Sequence, residues 1–181
     1  MPRRNKRRAG GRLLIVFTLF AFLAGCGYSA RAVNSGKYKT IYIEPFRNKI
    51  PFESGKSNTY LPLLEVKLTN SITDRFLFDG GIKVAKKEKA DLVLQGDLIG
   101  YQRDALRYDI NNDVQEYRIT ITIAATLWDN KQQKQVWNES SFSGDTTYFT
   151  SGTLAKSESL ALEDALKDTA RRVVERSVDD W

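Results

Sequence analysis

The clearest pattern in the chain runs from Tyr117 to Trp128. There Tyr117, Ile119, Ile121, Ile123, Ala125 and Leu127 alternate with Arg118, Thr120, Thr122, Ala124 and Thr126. Such alternation, with β-branched residues on both faces, predicts a strand with one face buried. The opposite row is rich in threonine and largely uncharged, so it is either a solvated surface or one that lies against another protein. Asp129 to Gln133 reads as a turn, and Lys134 to Phe149, with Trp137, Phe142 and Tyr148, as the returning strand of a hairpin. Upstream, Ala90 to Tyr101 places Leu92, Leu94 and Leu98 on one face and Val93, Ile99 and Tyr101 on the other, the mark of an interior strand. Gly96 and Gly100 permit a bend or bulge. The strand can continue through Leu106 and Tyr108 to a turn at Asn111-Asn112-Asp113, whose side chains suit local hydrogen bonding.

Two stretches switch to helical spacing. Leu61, Leu64, Leu68, Ile72 and Phe76 form one apolar stripe, predicting a helix from about Thr59 or Tyr60, with Pro62 in its first turn and Asp79-Gly80-Gly81 as its stop. Leu162, Ala165, Leu166, Thr169 and Val173 form the stripe of a last helix over about Ser157 to Val178. Its acids crowd the start and its arginines the end, which complements the helix dipole. Lys39 to Phe46 alternates as a first strand, in which Pro45 marks either the end or an edge position. Arg47 to Asn58 reads as a loop and Ile82 to Lys86 as a short strand. The order is β-α-β-β-β-β-α, the short strand at Ile82 either separate or merged with the next. Each helix must bury its stripe, and one sheet face can take both. The expected fold is α+β: a two-layer sandwich with two helices packed on one face of a mixed four-stranded sheet, the other face open.

The head of the chain is of another kind. Arg3, Arg4, Lys6, Arg7, Arg8 and Arg12 precede an apolar run from Leu13 to Ala24 broken only by Thr18, and no acid occurs before Glu44. The run is shorter than the ~20 residues a membrane-spanning helix needs, and fits the middle of a secretory signal. It ends in Leu23-Ala24-Gly25-Cys26, which resembles the bacterial lipobox. The resemblance implies cleavage before Cys26 and acylation of that residue, the one cysteine in the chain. Residues 1–25 are then a lipoprotein signal peptide, 26–37 a lipidated tether and 38–181 a single domain. By the enterobacterial sorting pattern, Gly27 rather than Asp implies the outer membrane. The leader also changes the meaning of the charge. Net charge is +6, but six of the 28 basic residues lie in the leader, leaving 22 against 22 acids. Nothing in that balance calls for a nucleic-acid partner. One local basic stretch remains, Lys83, Lys86, Lys87 and Lys89, which either meets phosphate groups or forms a solvated turn.

Candidate chemistry is thin. The chain has no histidine, which excludes serine–histidine and cysteine–histidine catalysis and histidine zinc sites. Acylated Cys26 would leave no thiol for metal, disulfide or redox work. No phosphate-binding glycine loop and no Gly-x-Ser-x-Gly occur. Neither an enzyme, a cofactor nor a metal is expected.

Taken in order, Cys26-Gly27-Tyr28, Ile41-Tyr42-Ile43-Glu44-Pro45-Phe46-Arg47-Asn48, Ala90-Asp91-Leu92-Val93-Leu94-Gln95-Gly96-Asp97-Leu98, Glu116 to Ile123, Val136-Trp137 and a helix ending near Trp181 resemble the LPS-assembly lipoprotein LptE family. The resemblance implies an outer-membrane lipoprotein on the periplasmic side. It implies a plug and assembly partner of the β-barrel LptD in delivering lipopolysaccharide to the cell surface. By the family pattern, the lysine of Leu154-Ala155-Lys156 is a lipopolysaccharide-binding residue. The family also uses a base in the turn before the Glu-Tyr strand, and here Ile110-Asn111-Asn112-Asp113 has none; Arg107 and Arg118 flank the gap and are the candidate replacements. Thr120, Thr122 and Thr126 are the candidate barrel contacts. Two other classes stay open: a periplasmic activator lipoprotein of a peptidoglycan synthase, which shares a lipobox and an Ala-Asp-Leu-Val-Leu-like strand, and a subunit of a secretion pore, which should assemble into rings.

Overall fold

The computed structural model describes residues 37–51 and 61–178. Cys26, and the expected helix start at Thr59 or Tyr60, lie outside the described residues. The elements are β1 (Thr40–Ile43), β2 (Arg47–Asn48), α1 (Leu64–Asp79), β3 (Lys83–Val84), a 3-10 turn (Lys87–Lys89), β4 (Leu92–Tyr108), β5 (Val114–Asp129), β6 (Lys134–Phe149) and α2 (Glu158–Val178). The α+β class is as expected, but the sheet has six strands among the described residues, not four. Its order is β3-β1-β4-β5-β6, with β2 also against β4.

The extra strands have a physical origin at Pro45. β1 and β2 both run parallel to β4, with Ile43 opposite Leu94 and Arg47 opposite Asp97. The backbone N–H of Glu44 donates to Leu94 O (2.9 Å) and that of Lys49 to Leu98 O (2.8 Å). Pro45 lies between them and has no N–H to give. The Phe46 N–H turns away to Thr69 Oγ1 of α1 (3.0 Å). One strand is thus split in two by a proline, and its second half occupies the start of the expected loop. β3 does not merge with β4; it pairs in parallel on the far side of β1, Thr40 opposite Lys83.

The long strands follow the predicted alternation. In β5, Ile119, Ile121, Ile123, Ala125 and Leu127 are buried, and the intervening Thr120, Thr122, Ala124 and Thr126 are half-buried. β4 departs from it at one point. Its pairing with β5 slips between Leu98 and Gly100, so that Leu98 faces Ile123 and Tyr101 faces Ile121. The extra residue carries Tyr101 onto the core face, where it is buried, not onto the face shared with Val93 as simple alternation predicts.

Both helices bury their stripes in the same core. α1 contributes Leu64, Leu68, Ile72 and Phe76, and α2 contributes Ala161, Leu162, Ala165, Leu166, Ala170, Val173 and Val174. α1 begins only at Leu64, two residues after Pro62, and its cap Leu63 has left-handed φ of 61°. It ends as predicted at Gly80, φ 65°, whose N–H donates to Phe76 O (3.2 Å). Glycine also sets the approach of other groups to the sheet. A Cβ at Gly96 would overlap the Phe46 ring at 2.2 Å, so Gly96 is what lets that ring lie on β4. No described helix is long and apolar enough to cross a membrane.

Candidate functional site

The threonine row lies on the sheet face away from the buried core. Thr120 stands opposite Gln102 and Asp145, Thr122 opposite Gly100 and Ser143, and Thr126 opposite Gln95 and Asn138. Its hydroxyls are partly engaged across the strands: Thr122 Oγ1 is 3.2 Å from Ser143 Oγ, and Thr126 Oγ1 donates to Asn138 Oδ1 (2.7 Å). Most charges bordering the row are paired, Asp104 opposite Arg118 being the exception among the described residues. Asp97 meets Arg47 (2.7 Å) and Lys49 (2.8 Å), and Arg118 lies 3.8 Å from Asp145. The face is therefore polar but carries little free charge, a surface able to exchange hydrogen bonds with another polar wall.

Arg107, Arg118 and Lys156 gather toward the end of the sheet formed by the β4–β5 turn. Arg107 is opposite Glu116, and Glu116 opposite Phe149. The Arg107 guanidinium is 3.5 Å from the Glu116 carboxylate and sits over the Phe149 ring at 5.7 Å. After β6 the chain folds back, Ala155 bridging to Phe149 and the Lys156 N–H donating to Phe149 O (3.0 Å). Lys156 nonetheless points to α2, where its Nζ bonds Asp164 Oδ2 (2.9 Å). Arg118 and Arg107 belong to the threonine side, so the three candidates share an end without forming one cluster. All three side chains are well exposed and each already has a carboxylate partner. Around them Tyr117 stacks on Tyr148 (5.7 Å), Arg103 covers Tyr117 (4.9 Å) and bonds Glu158, and Leu106, Tyr108, Ile110 and Leu154 are exposed. Tyr101 Oη donates to Glu158 Oε1 (3.0 Å); burial and that carboxylate push its hydroxyl well above the ordinary tyrosine range.

The opposite end holds a second arrangement that sequence reasoning missed, where the chain enters the domain. Tyr38 Oη donates to Asp129 Oδ2 (2.7 Å), and Lys37 Nζ is 3.5 Å from the same oxygen. Burial disfavours the Asp129 charge, but N–H groups of Gln132 and Lys131 and the Tyr38 hydroxyl outweigh it and hold the carboxyl below the usual range. Asp91 accepts from Lys131 Nζ (2.6 Å), the N–H groups of Lys39 and Thr40, and the Thr40 hydroxyl. Lys131 first, then the Lys39 N–H, bring its pKa down to about 2. Asp91 was in view within Ala-Asp-Leu-Val-Leu, but its partners lie on two other segments, the start of β1 and the β5–β6 turn.

A model of the LptE lipopolysaccharide-assembly family matches residues 38–177. No curated protein matches the chain. Among solved structures, protein XCC0632 from Xanthomonas campestris is similar at 16% identity, with TM-score 0.57, over 81% of this chain and 86% of that one. The hypothetical protein CT253 from Chlamydia trachomatis is similar at 13% identity, TM-score 0.53, over 77% and 95%. The rare lipoprotein B from Shewanella oneidensis has 12% identity and TM-score 0.47 over 78% and 95%.

Proposed function

The chain belongs to the LptE lipopolysaccharide-assembly family, and from that premise we propose that it is a lipoprotein of the outer membrane, facing the periplasm, that plugs the LptD β-barrel and assists its assembly. Cys26 carries the acyl chains. Several chains together anchor firmly, each buried CH₂ contributing ~0.8 kcal/mol. The observation that carries the reading is the Thr120–Thr126 face. The two helices bury their stripes in the core on the other side, and this row offers hydroxyls with few free charges. A barrel lumen is polar and watery, so a plug fits it through hydrogen bonds rather than an apolar patch. In this reading Lys156, Arg107 and Arg118, the residues the family pattern points to, exchange their carboxylate partners for the phosphates of lipopolysaccharide through charge-assisted hydrogen bonds.

Co-purification after mild detergent extraction tests the proposal. A tagged full-length chain is expected to bring down a large outer-membrane barrel protein. Recovery of a peptidoglycan synthase instead, or of a ring of the chain itself, would replace this reading.

A further inference from the structure

We propose that Lys39, Lys83, Lys86, Lys89 and Lys134 form one docking surface for the anionic phospholipid headgroups of the membrane that holds the chain. The inference rests on the reading of Cys26 as the lipid attachment point.

The lysines come from four segments that the fold brings to one end of the sheet. Lys83 is registered against Thr40, beside Lys39. The Asp91 N–H donates to the Thr40 hydroxyl oxygen (2.9 Å), which ties the chain leaving the 3-10 turn to β1. Asn130, in the β5–β6 turn, donates to Lys87 O and Ala90 O (2.9 Å each), and Lys134 is opposite Asp129. A run of lysines in sequence is usually a solvated turn; here Lys39 and Lys134 join it from distant positions.

Charge pairing separates these residues from the rest of the domain. Every described arginine has a carboxylate partner. At this end Glu44, Asp91 and Asp129 are taken up by Lys87, Lys131 and Lys37. Only Glu88 remains to face Lys39, Lys83, Lys86, Lys89 and Lys134, which are exposed and make no side-chain hydrogen bond or ion pair among the described residues.

Position supplies the partner. The chain from Cys26 to Lys37 reaches at most about 40 Å when fully extended, so the anchor keeps the end that carries Lys37 within that distance of the bilayer. Basic residues near an anionic surface strengthen attachment roughly fivefold each, over a range set by a Debye length of about 10 Å at 0.1 M salt. Tether and lysines then act together: the lipid holds the chain to the membrane, and the lysines set which end faces it.

The test compares the full-length acylated protein in nanodiscs of phosphatidylcholine and in nanodiscs containing one-third phosphatidylglycerol. Amine acetylation is read at each lysine by mass spectrometry. At Lys83, Lys86, Lys89 and Lys134 the rate is expected to fall at least threefold in the anionic discs and to recover in high salt. Lys67 of α1, also exposed and without a side-chain partner among the described residues, serves as control and keeps its rate. In the triple variant Lys83→Glu, Lys86→Glu, Lys89→Glu, whose changes all fall on exposed side chains, the protection at Lys134 should disappear. Equal rates in the two discs overturn the proposal, as does protection that appears only when a barrel protein is added. The intact mass of the same preparation reports acylation of Cys26, so a failed anchor and a failed lysine surface are read from different numbers.

Discussion

A Cβ on Gly144 of β6 would stand 2.4 Å from Thr169 Oγ1 and 2.5 Å from the Thr169 backbone nitrogen of α2. At this point helix and sheet meet backbone to backbone. Thr169 is fully buried and its hydroxyl donates to Ala165 O (2.9 Å), so it has nowhere to retreat. Gly144→Ala is expected to destabilise the domain by about 2–3 kcal/mol through overpacking. Thr169→Ala should not rescue it, because the backbone atoms obstruct as well. Denaturant melts of the two single variants and the double variant check this; recovery in the double would show that the hydroxyl alone sets the spacing.

Ile121 is fully buried and Thr122 half-buried on the opposite side of the same strand. Ile121→Asp leaves an unpaired carboxylate in the core and should cost several kcal/mol. Thr122→Asp loses the Ser143 contact but stays hydrated, for a cost below about 1 kcal/mol. Similar thermal melts for both would contradict the assignment of faces.

Asp91 sets an acid limit. Its carboxyl is held at about 2 against an ordinary value of 3.8. The stabilisation is therefore complete above about pH 4 and drains away as pH falls toward 2, up to about 2 kcal/mol. Asp91→Asn should be less stable than wild type near neutrality, the gap closing in acid. Urea melts across that range measure it; a constant gap would assign the loss to altered hydrogen bonding rather than to charge.

Cys26→Ser is expected to accumulate with its leader uncleaved and to take up no radioactive palmitate, while the wild type is labelled. An unlabelled wild type would end the lipoprotein reading.

A photo-crosslinker at Thr122 is expected to capture a large membrane protein in cells, and one at Lys167, exposed on α2, to capture none. Capture at Lys167 and not at Thr122 would make the helices the docking surface.

How far these residues were legible beforehand depends on how local their causes are. The β5 row needed only its own alternation, and the end of α1 only Asp79-Gly80-Gly81. Tyr101 was misplaced because the slip at Leu98/Gly100 is decided by the pairing with Ile123 and Thr122 on another strand. A Cβ on Gly100 would lie 3.2 Å from the Thr122 side chain, a contact absent from the local pattern. Pro45 was visible as a break, but not the resumption of the same ladder at Arg47. Of the candidate site, strand spacing and flanking position picked out the threonines and arginines and the strand each stands on. The turning of Lys156 to Asp164, and the clasp of Asp91 and Asp129 around the chain entry, depend on tertiary packing.

The seventeen residues of β4, at about 3.3 Å each, measure roughly 55 Å end to end. The hydrocarbon layer of a bilayer is ~30 Å thick. β4 begins at the edge where the chain enters and finishes at the β4–β5 turn, on the way to Ile110. The strand is therefore a ruler longer than the layer it would have to cross inside a barrel. A protein fixed to one leaflet at its near edge needs no large excursion for its far edge to register with the other.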